Sequence, residues 1–81
     1  MNTFKVFLNS INDVKEFVNI ASAQVCDIDV VSGRYIIDAK SIMGIFSIDL
    51  AKPIDVEVHG TDADMEHFKE AVNKFVVAEE N

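Results

Sequence analysis

The chain has 81 residues, 49% hydrophobic and 26% charged, a composition that supports a folded core and excludes a disordered tail. A chain this short buries only about 60% of the surface its unfolded form exposes, so a single domain spanning residues 1–81 is expected. Fourteen acids against seven bases give a net charge of −7, with no basic stripe to hold nucleic acid or an anionic membrane surface.

From Thr3 to Leu8 the chain alternates, Phe4, Val6 and Leu8 on one side and Lys5 on the other, which is the period of a half-buried strand; Phe7 breaks it. From Val14 the period lengthens. Val14, Phe17, Val18, Ala21 and Val25 form one helical face, and Asp13 followed three residues later by Glu16 resembles a capping box at its start. Asp27-Ile28-Asp29-Val30 alternates again, and Ser32-Gly33 separates it from Arg34-Tyr35-Ile36-Ile37-Asp38, which predicts a β-hairpin.

After Lys40, the run Ser41-Ile42-Met43-Gly44-Ile45-Phe46 predicts a helix of one or two turns starting at Ser41, and Pro53 stops whatever precedes it. Ile54-Asp55-Val56-Glu57-Val58-His59 alternates strictly and reads as a strand. Gly60 ends it, Thr61 and Asp64 cap the next element, and Met65, Phe68, Val72, Phe75 and Val76 form a second helical stripe. Glu79-Glu80-Asn81 is expected to fray.

A four-stranded, mainly antiparallel sheet covered by helices on one face buries every one of these stripes, making the fold class α+β. Its uncovered face would carry Lys5, Asp29, Asp55 and Glu57. No run approaches the ~18 apolar residues of a spanning helix, so no membrane insertion is expected, and the first ten residues lack the basic and apolar regions of an export signal. The lone Cys26 allows no internal disulfide and no cysteine pair for zinc, which suits a reducing cytoplasm.

No self-contained active site can be read from the chain. His59 and His67 sit in no motif with a ligand or nucleophile partner, so no metal or cofactor is expected. Asp27 and Asp29 share a strand face, which a solvent-facing strand explains more simply than acid–base chemistry. Cys26 reads as a small packed apolar residue. The chain is not expected to be an enzyme.

Ser41 admits two readings. The plain one is an N-cap, accepting a bond from the first amides of the helix. The sharper one adds a phosphoryl group, tolerated beside free helix amides, with Ile42, Met43 and Phe46 offered to a partner. The plain reading turns at least two of those three toward the core.

The run Lys40-Ser41-Ile42-Met43-Gly44, with Ser47 and Leu50-Ala51-Lys52 after it, resembles the regulatory-serine segment of HPr, the small phosphocarrier family of the bacterial sugar phosphotransferase system. The resemblance covers nearly the whole chain, Phe17-Val18-Asn19-Ile20-Ala21-Ser22 falling into register with the family's first helix. It implies an HPr-like open-faced β-sandwich in βαββαβα order. The family accepts a phosphoryl group on the histidine of a His-x-Arg-Pro motif at the start of that helix. In this register Ser10, Asn12 and Asp13 occupy the His, Arg and Pro positions. A phosphoserine ester is too stable to pass its group on to a sugar, and Asp13 sets a negative charge where the phosphate would sit. All three are good capping residues instead.

The resemblance therefore implies a carrier-deficient member, similar to catabolite-repression HPr and regulated through phosphorylation of Ser41. Its implied partners are HPr kinase/phosphorylase and a transcription regulator of carbon catabolite control. The rival is a ferredoxin-like βαββαβ ligand-binding or regulatory module. Strand order separates them, because the HPr arrangement sets the first and last strands side by side at one end, whereas a ferredoxin-like sheet centres the first and third.

Overall fold

In the computed structural model, which describes residues 2–78, the period-two segments become strands β1 (Thr3–Val6), β2 (Asp27–Ser32), β3 (Tyr35–Asp38) and β4 (Ile54–His59). The helices are α1 (Ile11–Ser22), α2 (Ile42–Phe46) and α3 (Asp62–Ala71), and a 3-10 turn follows at Asn73–Phe75. The strands lie in the order β1-β4-β2-β3, and every pair is antiparallel. First and last strands are thus neighbours at one end, and β3 is an edge. This excludes the ferredoxin-like alternative.

The inner face of the sheet carries Phe4, Val6, Ile28, Val30, Ile54, Val56 and Val58, all buried. Val14, Phe17, Val18 and Ala21 of α1, Ile45 of α2 and Phe68 of α3 complete the same apolar cluster. At its centre the Phe17 and Phe68 rings meet edge to face, with centroids 5.6 Å apart. The opposite face is polar.

Several boundaries differ from the sequence-based expectation. α1 starts one turn early: Ser10 is the N-cap, its Oγ accepting the Asp13 N–H at 3.1 Å, so the capping box expected from Asp13 and Glu16 does not form. The earlier cap wins because it sets Val14 inside the helix, its amide bonded to the Ser10 carbonyl and its side chain buried. Val25, expected on the helical face, is 94% exposed, since α1 has already ended at Ser22.

The hairpin turn is Gly33-Arg34, with Ser32 paired to Tyr35 as the last rung, one residue later than the expected break. Gly33 adopts φ 60°, the first-position conformation of a II′ hairpin, which glycine reaches without strain. α3 has the reciprocal capping box expected of Thr61 and Asp64 but ends at Ala71. Val72 and Phe75 stay buried because three residues per turn keep positions three apart on one side. Val76 leaves the helical stripe and bridges Val6 of β1. The expected fraying at 79–81 lies outside the described residues.

Candidate functional site

The N-terminus of α1 is closed by its own side chains. Besides the Ser10 cap, the Asp13 carboxylate accepts the Asn9 N–H at 3.0 Å, so the pre-helical loop already has its anion. Ser10 and Ile11 are exposed, Ile11 at 64%, and share an open groove of about 440 Å³ with Leu8, Phe46 and Leu50. This groove joins the start of α1 to the end of α2.

α2 is built on Ser41, whose Oγ accepts the Gly44 N–H at 3.2 Å, making it the expected N-cap. Gly44 is required by space, not by its backbone angle. A Cβ there would stand 2.6 Å from Ile37 Cγ2 of β3 and 2.9 Å from Ser41 Oγ. Ile45 is the residue α2 sends into the core. Of the three apolar residues singled out beside Ser41, only Ile42 packs against the core, while Met43 is 76% and Phe46 39% exposed. Ser41 is also exposed, so hydroxyl and apolar side chains share one accessible surface.

On the open face of the sheet the four expected residues appear, arranged in two groups. Lys5 pairs with Asp55 at 2.6 Å. Asp29 and Glu57 are directly opposed on β2 and β4, and His59, two residues along β4, brings its Nε2 to 2.9 Å from Asp29 Oδ2 and 3.9 Å from Glu57 Oε1. Sequence reasoning missed this grouping, treating His59 as partnerless. The only signal was a pair of alternating strands whose polar positions face one way, and it becomes readable only once the register of β2 on β4 is known. His67, on α3, is not part of this group, and Cys26 is a part-buried thiol packed against the core.

The strand order, the helices set over the inner face and the polar outer face define an open-faced β-sandwich. The family model described as "PTS HPr component phosphorylation site" matches residues 12–78. The chain belongs to the HPr family, phosphocarrier proteins of the sugar phosphotransferase system and not enzymes. Among solved structures it is similar to a phosphocarrier protein HPr from Bacillus anthracis, with 28% identity, TM-score 0.68, and 93% of this chain and 95% of that one covered. It is similar in fold to HPr-C-His from Thermoanaerobacter tengcongensis, at 23% identity and TM-score 0.74, covering 91% and 89% of the two chains. The histidine-containing phosphocarrier protein of Mycoplasma shares the fold at 18% identity and TM-score 0.69, with coverages of 89% and 88%. A comparison with curated proteins returns no match. Among the described residues, no helix is long and apolar enough to cross a membrane.

Proposed function

We propose that this HPr-family chain is a regulator and not a carrier, switched by phosphorylation of Ser41. The observation that carries the reading is the exposed Ser41 hydroxyl at the head of α2, next to exposed Met43 and Phe46. In the switch, Ser41 Oγ takes the terminal phosphoryl group of ATP, loses its proton, and releases ADP. The added dianion alters the charge of a surface whose apolar residues are already accessible. Met43 and Phe46, with the exposed edge of Ile42, form the partner surface.

The start of α1 supports the same reading from the other side. In register with the family, Ser10, Asn12 and Asp13 stand where a carrier has histidine, arginine and proline. Asp13 accepts the Asn9 amide and Ser10 accepts the Asp13 amide, so these groups are engaged in capping. A phosphoryl group there would face a carboxylate without an arginine to balance it. The partners that fit are HPr kinase/phosphorylase and a transcription regulator of carbon catabolite control, in the cytoplasm.

The test is paired phosphorylation read by intact mass. The protein is incubated with ATP and HPr kinase, and separately with phosphoenolpyruvate and the first enzyme of the phosphotransferase system, each beside Ser41→Ala. One phosphoryl group gained only with ATP, and lost in Ser41→Ala, is the expected result. Labelling by phosphoenolpyruvate, or no labelling by ATP, overturns the proposal.

A further inference from the structure

We propose that Asp29, Glu57 and His59 on the open face of the sheet form a binding site for a divalent transition cation of the zinc class. Three donor atoms of these side chains, one imidazole nitrogen and two carboxylate oxygens, lie within 4.8 Å of one another. The strand register creates this convergence. Asp29 and Glu57 are directly opposed on β2 and β4, and His59 is the next same-face residue after Glu57.

The distances are close to those of a shared ion. Tetrahedral zinc–nitrogen and zinc–oxygen bonds of about 2.0–2.2 Å put neighbouring donors roughly 3.3–3.6 Å apart. Nε2 and Asp29 Oδ2, hydrogen-bonded at 2.9 Å, and Nε2 and Glu57 Oε1, 3.9 Å apart, bracket that spacing, and small rotations of these part-exposed side chains would bring all three donors to it. All three side chains are between 31% and 49% exposed, which leaves a hydrated ion a direct approach.

The donor set chooses the class of cation. A hard cation such as calcium takes oxygen ligands, whereas an imidazole nitrogen suits zinc, nickel or copper. Two carboxylates and a neutral imidazole balance a divalent charge. The cation would also remove a conflict in the sheet, because directly opposed like charges such as Asp29 and Glu57 destabilise the pairing. Asp27, opposite His59, and Asp38, opposite Asp29, add further negative charge on the same face. The sharing of these positions between two strands makes the site a property of the fold, not of a contiguous motif. It is independent of Ser41 and of any phosphoryl chemistry.

The experiment is titration of the full chain with Zn²⁺ in competition with a chromophoric chelator, alongside NMR of the histidine ring nitrogens. The variants are His59→Ala, Asp29→Asn, Glu57→Gln and, as a control, His67→Ala, each checked for fold by circular dichroism. The expected result is one Zn²⁺ per chain with a shift of the His59 ring signal. Loss of a direct ligand should weaken binding by about tenfold or more, since removal of outer-sphere partners alone has effects of that size; His67→Ala should bind as the parent does. Absence of binding, or equal binding by His59→Ala, overturns the proposal and leaves a plain imidazole–carboxylate pair.

Discussion

The Ser41 hydroxyl oxygen lies 3.2 Å from the Gly44 amide nitrogen and closes the first turn of α2. The same oxygen is therefore a structural cap and the proposed acceptor of a phosphoryl group. Replacing it with alanine should lower stability by about 1 kcal/mol, whereas Ser41→Asp, which keeps a capping oxygen, should lower it by only a few tenths. Urea unfolding of the three proteins distinguishes the two. Equal losses for both variants would mean that the cap contributes nothing.

Gly44→Ala should destabilise the protein although alanine is the better helix former by about 1 kcal/mol. The new methyl group would stand 2.6 Å from Ile37 Cγ2, part of a β-branched side chain on β3 that is stiff at χ1. Overpacking of this kind typically costs about 1–3 kcal/mol. An alanine variant as stable as the parent in thermal denaturation would contradict the close packing of α2 on β3.

Phe68 has no exposed surface and its ring meets both Phe4 and Phe17, with centroids 6.1 and 5.6 Å apart. Phe68→Ala should remove about 3–5 kcal/mol, a large share of the total for a domain of this size. Phe68→Leu, which keeps most of the volume, should lose less. Chemical denaturation monitored by circular dichroism gives both values.

Thr61 and Asp64 exchange hydrogen bonds at the start of α3, Asp64 N–H to Thr61 Oγ1 at 3.1 Å and Thr61 N–H to Asp64 Oδ2 at 3.0 Å. Thr61→Ala should cost about 0.5–2 kcal/mol and raise amide hydrogen exchange in the first turn of α3 more than in α1. Uniform exchange across both helices would count against a local role.

Lys74 contacts both carboxylate oxygens of Glu16 at 3.0 Å, tying the 3-10 turn to α1. Both side chains are about half exposed, so water and salt screen the pair. A double-mutant cycle with Glu16→Gln and Lys74→Met should give a coupling below about 1 kcal/mol that shrinks as salt is added. A larger, salt-independent coupling would indicate a pair shielded from solvent.

What could be read from the sequence depended on how local its cause was. β4 was legible because each residue declares its side by alternation, and Ser41 and Thr61 were legible because a cap is settled within four residues. The start of α1 was misread because Ser10 and Asp13 both resemble caps, and the choice was made by burial of Val14, a tertiary effect. The helical spacing of Val72 and Phe75 marks both as core-facing, yet α3 ends at Ala71 and a tighter turn carries them inward. His59 and Asp29 are thirty residues apart, and nothing in either segment specifies the register that joins them.

Phe7 donates its amide to the Phe75 carbonyl, Val77 donates to Lys5, and Val76 bridges Val6, so the segment after the 3-10 turn lies along the outer side of β1. The other side of β1 is occupied by β4, beginning at Ile54. Both neighbours of the first strand are therefore encoded far downstream. During synthesis β1 precedes α1, β2, β3 and α2, and waits through all four before β4 exists to pair with it. The hairpin of β2 and β3 can close early, whereas the four-stranded sheet can be completed only once β4 has been made, and the outer side of β1 is covered only when residues 75–77 follow.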